Sequence, residues 1–187
     1  MSQNQPEPVP ADYKVYEAVF DLMDRIPKKD PHVTISDVTL NSKCGEADSD
    51  LPLVNGCSFL WMKPDTASSV KQLLREEWPD LDDSTWADFE TNNVASVRLR
   101  EPIVTPWKHK LIEPGDGPEK DWESPDMTIF LSRVGFNKQK TEAVVYVLIF
   151  SYMDQVATGG DYFLFRKSKA GIWNFAGRLT YFTKDKG

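Results

Sequence analysis

The stretch that decides the fold is the C-terminal MTIFLSRVGFNKQKTEAVVYVLIFSYMDQVATGGDYFLFRKSKAGIWNFAGRLTYF (Met127–Phe182). Apolar runs of strand length alternate in it with short polar or glycine-bearing segments, which is typical of antiparallel strands joined by turns. The run Ala143–Phe150 is apolar almost without a break, so we expect a central strand with both faces covered. The pattern predicts a four-stranded meander, with strands over 127–136, 142–152, 161–166 and 172–182.

The last of these strands carries large side chains at a period of two, which places them on one face. The predicted set is Trp173, Phe175, Leu179 and Tyr181. Gly177 has the same phase, and a glycine within a strand usually marks a bulge or a bend, so we expect the sheet to curve there. Gly159 and Gly160 are assigned to a loop over 153–160, where glycine permits the positive φ of a reversal.

The residues before this sheet are predicted to cover it. Spacing and capping residues predict helices over 13–26, with Asp12 as cap, from Thr66 or Ser68 to Trp78, and from Asp82 or Asp83 through Trp86 and Phe89 toward Val94. Residues 32–40 are predicted to form a strand, and 103–112 an extended piece. The result is an α+β domain of helices packed on a curved antiparallel sheet, similar in architecture alone to the cystatin and nuclear-transport-factor folds. Residues 1–10 are predicted to be a disordered lead, and 11–187 a single domain.

Charge is unevenly distributed along the chain. The net charge of −7 over 187 residues argues against a general nucleic-acid binder. From Met127 onward nine Lys and Arg stand against four Asp and Glu, whereas the preceding residues hold 13 against 25, so the sheet is basic and its cover acidic. No apolar run reaches the roughly 18 residues that a membrane span requires, and no transmembrane segment is expected.

Two segments of the sequence resemble those of a known protein family. LSRVGFN (Leu131–Asn137), followed by EAVVYV (Glu142–Val147), a glycine-containing loop, Tyr162 and GIW (Gly171–Trp173), is similar to a family of uncharacterised bacterial proteins that are usually predicted to be exported. LDDSTWADFETNN (Leu81–Asn93) resembles that family's middle segment, so the resemblance covers roughly the second half of the chain. It implies an exported or cell-envelope location, with a cytoplasmic one as the alternative. It implies no agreed activity, cofactor or catalytic residue.

Cys44 and Cys57 lie at either end of an acidic loop. In an exported protein, as the resemblance implies, they are expected to form a disulfide, which stabilises a fold by roughly 3 kcal/mol in the chain-entropy model. Two free thiols are the alternative. A zinc site is not predicted, since neither cysteine belongs to a C-x-x-C pair and both histidines are distant in sequence.

Residues suited to acid–base chemistry are few and scattered. His32 and His109 lie outside any nucleophile motif, and no glycine-rich phosphate loop precedes a helix. The aspartates near residues 80–88 lack the spacing of a calcium loop, so no metal or cofactor is predicted. Arg133 and Asp37 interrupt apolar strands, where a charge must face solvent or pair internally. If the protein is an enzyme, His109, Asp37 and Arg133 are the candidate residues.

Two predicted surfaces are suited to a partner. The first is an aromatic groove formed by Tyr162, Trp173, Phe175 and Tyr181, to which burial under helices and loops is the alternative. The second is a basic pole formed by Lys138, Lys140, Lys167 and Lys169, because the turns after the first and third strands of a meander emerge at the same end. This pole is suited to an acidic partner, or is only a solvated surface.

These patterns favour a non-catalytic binding or interaction module of the bacterial cell envelope, with a protein or small-molecule ligand that the sequence does not identify. The alternative is a small hydrolase or isomerase that uses His109 or Asp37 as a base. A deep pocket that holds one of those groups beside Arg133 favours the enzyme. A shallow aromatic surface favours the binding module.

Overall fold

The described chain consists of three helices and one mixed sheet of seven strands. A computed structural model describes residues 10–23, 33–40, 64–100, 102–112, 127–151 and 156–183. The helices are α1 (Pro10–Leu22), α2 (Pro64–Glu77) and α3 (Asp83–Asn92). The strands are β1 (Val33–Ser36), β2 (His109–Ile112), β3 (Met127–Leu131), β4 (Gly135–Phe136), β5 (Glu142–Ser151), β6 (Val156–Lys167) and β7 (Trp173–Thr183).

The sheet has the strand order β2–β1–β3–β5–β6–β7, and the short β4 pairs with β5 beyond the end of β3. β1 is parallel to both of its neighbours, whereas the pairs from β3 to β7 are antiparallel. The predicted α+β class with a mainly antiparallel sheet is therefore confirmed. The sheet is larger than the four predicted strands, since β1 and β2 extend it on the β3 side.

The predicted first strand, 127–136, is divided into β3 and β4 at Ser132. The Ser132 side chain, rather than its carbonyl, accepts the hydrogen bond from the Tyr146 N–H, at 2.8 Å. The Ser132 carbonyl instead accepts the Tyr16 hydroxyl of α1, at 2.9 Å. Because one carbonyl leaves the ladder to hold a helix, the regular pairing stops for a few residues before β4 resumes it.

Both faces of the sheet are covered. Side chains of α1 pack on one face, where Val145 and Val147 of β5 point, and side chains of α2 and α3 pack on the other, where Val144, Tyr146 and Leu148 point. These five β5 residues are at most 1% exposed. The near-continuous apolar run of β5 is thus explained by burial on two sides, as predicted.

The helices lie where they were predicted, with shifted ends. Helix α1 begins at Pro10, so Asp12 lies within its first turn and is not its cap. Helix α3 is capped by Asp82, whose Oδ1 accepts the Ser84 N–H at 2.8 Å. The helix ends at Asn92, and Val94 is 46% exposed, so the prediction that this helix carries Val94 is wrong. Residues 1–9 of the predicted lead lie outside the described residues.

The four large side chains of β7 do not share one face. Phe165 pairs with Phe175, but its neighbour Leu164 pairs with Gly177, so one extra residue is inserted at the predicted bulge. A one-residue shift exchanges the faces of a strand. Trp173 packs toward α1 with Phe165, whereas Leu179 and Tyr181 pack in the layer of α2 and α3.

The predicted loop over 153–160 is too long, since β6 begins at Val156. Gly160 lies in that strand and pairs with Leu148. A Cβ at Gly160 would lie 2.0 Å from the Tyr146 hydroxyl oxygen, so glycine is required here by the close approach of a ring. Gly177 has a similar role, because a Cβ there would lie 2.3 Å from Nε1 of Trp78.

Val147→Asp should unfold the domain, because it places an unpaired carboxylate at a position that is 1% exposed. We expect a loss of more than about 4 kcal/mol in the free energy of unfolding, measured by urea denaturation. Ile172→Asp is the matched control, since Ile172 is 63% exposed and should tolerate the same change. A Val147→Asp variant that unfolds at the urea concentration of the parent would contradict the central position of β5.

Three buried tyrosines should make the fold sensitive to alkali. Burial raises the pKa of Tyr16, Tyr146 and Tyr162 above that of an unfolded chain. Because the unfolded state loses these protons first, the stabilisation is complete below about pH 10 and is lost as the pH rises above it. Absorbance at 295 nm should show these phenols ionising only together with loss of the circular dichroism signal. Smooth ionisation of every tyrosine in a protein that remains folded would refute this.

Candidate functional site

A cleft of about 530 Å³ opens between the start of α1 and one side of α3, above β4. Its lining combines cations, carboxylates, hydroxyls, amides and a few apolar groups. The lining residues are Ala11, Asp12, Ser84, Ala87, Asp88, Thr91, Asn92, Arg133, Phe136, Asn137, Lys138 and Lys140. The five α3 residues recur at intervals of three and four, which places them on one face of the helix. The cleft is therefore a surface between two helices and one strand.

The wall formed by α3 is held to the strand by side-chain amides. The Arg133 N–H donates to Oδ1 of Asn93 at 2.8 Å, and Nδ2 of Asn93 donates to the Arg133 carbonyl at 3.0 Å. Nδ2 of Asn92 donates to the Val134 carbonyl at 3.0 Å. Asn93 is fully buried, so its amide replaces the hydrogen bonds that a neighbouring strand would supply.

Asp88 continues this connection one helical turn earlier. Its Oδ2 accepts the Phe136 N–H at 2.8 Å and Nδ2 of Asn92 at 3.0 Å. Gly135 immediately precedes Phe136, and a Cβ at Gly135 would come within 2.4 Å of the Phe89 Cβ. The helix backbone thus approaches β4 so closely that only glycine fits. The hydrogen bonds from Phe136 and Asn92 fix the position of the Asp88 carboxylate beside the cleft.

The turn between β4 and β5 positions the two lysines of the rim. Oδ1 of Asn137 accepts the N–H groups of Thr141 and Glu142, at 2.8 and 3.1 Å, which closes the turn. Lys140 has a φ of 54°, a left-handed conformation that this tight closure requires. Lys138 and Lys140 are exposed, and neither forms a salt bridge with a described residue.

The floor of the cleft holds an ion pair between Arg133 and Asp12. Nε of Arg133 lies 3.6 Å from Oδ2 of Asp12, and the two side chains are 11% and 1% exposed. Burial, together with the Asp12 carboxylate, raises the pKa of the adjacent Tyr16. The internal pairing that was one of the two alternatives for Arg133 is therefore the one observed. Arg133 is a residue of the cleft and not of an exposed strand face.

The turns that carry the four lysines of the basic pole lie side by side, since the Lys167 N–H donates to the Thr141 carbonyl at 2.7 Å. The same end of the sheet also carries acids. Glu142 is buried and its Oε2 lies 3.3 Å from Nε of Arg166, while Asp80 pairs with Nη2 of that arginine at 2.7 Å. A hydrogen bond from Arg166 lowers the pKa of Asp80. The pole is thus mixed in charge.

The two candidate bases lie outside the cleft. His109 is on β2, where it pairs with Val33 and its Nδ1 lies 3.0 Å from Oγ1 of Thr105. Asp37 follows β1, and its Oδ2 lies 3.4 Å from Nη1 of Arg98. Neither residue lines the cleft that contains Arg133. The structure therefore does not bring together the three residues that the catalytic alternative requires.

The four candidate aromatic residues do not form one surface. Tyr162 is completely buried between Trp86, Phe89 and Tyr146, so its assignment to an exposed groove is wrong. Tyr181 is half-buried against Tyr162 on the same side of the sheet. Trp173 and Phe175 face the other side, where Trp173 lies beside Phe136 and under the Lys167 ammonium. Phe175 is 48% exposed and packs edge-on against Phe165.

Sequence reasoning identified Arg133, Lys138 and Lys140 but missed the polar residues of α3 that complete the cleft. Ser84, Asp88 and Asn92 all belong to the quoted LDDSTWADFETNN phrase, and their spacing of four was the available indication that they share a helix face. His32, Cys44 and Cys57 lie outside the described residues, so the predicted disulfide stays a prediction.

Comparison of the chain with protein-family models, curated proteins and solved structures gave no match. The resemblance to an exported bacterial family therefore stays a prediction. Among the described residues, no helix has both the length and the apolar composition to cross a membrane. The same part of the chain holds no cluster of three or more His, Cys, Asp or Glu suited to a metal ion.

Arg133→Gln should be strongly destabilising, because it removes the cation from the buried Asp12 carboxylate. We expect a loss of about 3–5 kcal/mol in the free energy of unfolding, and partial recovery when Asp12→Asn is added. The control is Lys14→Gln, which removes one partner of the more exposed Lys14–Glu17 pair and should cost less than about 1 kcal/mol. Equal losses for Arg133→Gln and Lys14→Gln would show that the buried pair does not stabilise the fold.

Proposed function

We propose that this protein is a non-catalytic binding module that holds an acidic segment of a partner protein in the cleft between α1 and α3. The observation that carries the proposal is the presence of three cations, Arg133, Lys138 and Lys140, around one concave surface. Clefts that combine a few charged groups with an apolar patch are typical ligand sites. The cleft is also next to the turns of the basic pole, so long-range attraction and short-range contact act at the same place.

Arg133 is the group best suited to orient the ligand. Its Nε is buried near Asp12, and its terminal nitrogens form no hydrogen bond with the described residues. A guanidinium with free terminal nitrogens can donate two parallel hydrogen bonds to one carboxylate. Its side chain is only 11% exposed and its Nε is held near Asp12, so little conformational entropy is lost when a ligand binds.

Binding is favoured over catalysis because the candidate bases lie elsewhere. His109 and Asp37 do not line the cleft, and its described lining residues include no histidine or cysteine. An acidic peptide is favoured over a flat anionic membrane because the cations surround a concavity into which a chain fits. The exported location and the cell-envelope setting stay predictions that rest on the sequence resemblance.

The proposal is tested with an N-acetylated tetraglutamate peptide, followed by isothermal titration calorimetry and by backbone amide shifts of residues 133–140. Lys138→Gln/Lys140→Gln should weaken binding roughly three- to tenfold, because two partly exposed charge pairs are lost. Lys167→Gln/Lys169→Gln is the matched control. It removes the same charge from the same pole but from residues outside the cleft lining, and should have a smaller effect.

Binding should weaken at moderate salt, since exposed charges are screened over about 8 Å at physiological ionic strength. Equal effects of the two lysine pairs would indicate diffuse attraction to the basic pole rather than binding in the cleft. Binding to phosphatidylserine vesicles without binding to the peptide would indicate a membrane surface instead. No binding of either probe at low salt would refute the proposal.

A further inference from the structure

The cleft contains a carboxylate whose capacity to accept hydrogen bonds is only half used. Oδ2 of Asp88 accepts two hydrogen bonds, from the Phe136 N–H and from Asn92. Its other oxygen, Oδ1, forms no hydrogen bond within the described part of the chain, and it is not among the buried atoms without a partner. Asp88 is half-buried and lines the cleft, so Oδ1 is available to a ligand.

A second acceptor lies one turn along α3, on the same helix face. The Thr91 hydroxyl donates its proton to the Ala87 carbonyl at 2.8 Å. Its remaining lone pairs can therefore only accept. Asp88 and Thr91 are three residues apart and both line the cleft, so the α3 wall presents two acceptors close together. The lining residue Ala87, next to Asp88 and one turn before Thr91, has a small side chain, which leaves room for a small group.

Arg133 and Asp88 line the same cleft but do not form a salt bridge with each other. Arg133 is paired with Asp12, and Asp88 is held by backbone and amide groups. The cleft thus presents a cation on its floor and a separate carboxylate on its wall. A ligand that carries both a carboxylate and an ammonium group satisfies the two at once.

We infer that the ligand of the cleft binds through a free amino terminus, with its ammonium group on Asp88 and Thr91 and its acidic side chains toward Arg133 and the lysines. An ammonium group has three donors and no acceptor, which matches a wall of carboxylate and hydroxyl oxygens. This inference rests on the proposed function and specifies which part of an acidic peptide is recognised.

The test compares tetraglutamate peptides with a free and an acetylated amino terminus at about pH 6.5, where the α-amino group is protonated. The free amine makes the peptide less negative, so attraction to the basic pole alone predicts that it binds more weakly. Recognition at Asp88 predicts the opposite, with the free peptide bound tighter on the order of fivefold. The sign of the difference therefore separates the two explanations.

Asp88→Asn should abolish this preference while keeping the fold, because the amide oxygen still accepts the Phe136 N–H. The control is Asp21→Asn, which makes the same change of charge at an exposed position of α1 and should keep the preference. Thr91→Val, which is nearly isosteric, should reduce the preference without changing the net charge. Thermal melting checks the fold of each variant.

Equal binding of the two peptides to the parent protein, or tighter binding of the acetylated one, would overturn the inference and leave the proposed function standing. A preference that persists in a folded Asp88→Asn variant would also overturn it. If neither peptide binds the parent protein, the proposed function itself is refuted.

Discussion

The structure depends on the hydrogen bonds between side chains at the C-terminal half of α3 and the backbone of the strand segment 133–136. After Ser132, β4 pairs with β5 and with no other strand of the described residues. Its outer N–H and C=O groups need other partners, because buried backbone groups are costly to leave unpaired. Asn93, Asn92 and Asp88 supply them from one helix. Side chains that pair with an edge also prevent it from accepting a strand from another molecule.

This constraint determines the site. Because α3 must reach the β4 backbone, it lies against Gly135, and its exposed face then forms one wall of the cleft. The same interruption of the ladder releases the Ser132 carbonyl to hold Tyr16 of α1, which brings Asp12 to Arg133. A single irregular segment thus anchors a helix on each side of it. The cleft is the space that remains between the two helices.

The sequence predicted the elements whose information is local. Apolar runs and their lengths placed β5 in the centre, and the capping aspartate placed the start of α3, because each depends on neighbouring residues alone. The parallel pairing of β1 with β2 and β3 joins segments that are distant in sequence, so no turn residue between adjacent strands predicts it. The face of Leu179 and Tyr181 was mispredicted because one bulge reverses the period of two beyond it.

The roles of several glycines and polar residues depend on contacts with residues that are distant in sequence. Gly160 was assigned to a reversal, but it lies within β6 because the Tyr146 ring leaves no room for a side chain. Of the residues that line the cleft, sequence reasoning singled out only the cations as candidate site residues. Arg133 and the lysines are conspicuous in an acidic chain, whereas Asp88 and Asn92 look like ordinary polar residues of an exposed helix until the helix is docked.

The docking of α3 also joins two segments that lie far apart in the chain. Asn93 contacts Arg133, Phe89 contacts Gly135, and Asp82 donates its N–H to Glu142, so the 81–93 and 131–142 segments form one hydrogen-bonded unit. Within that unit, Asn93 acts only on backbone groups and specifies the fold. Asp88 differs, because its Oδ2 satisfies the strand edge and the residue also lines the cleft. A residue with both roles couples the geometry of the cleft to the stability of the edge, because any change at Asp88 alters the hydrogen bond to the Phe136 N–H as well as the cleft wall.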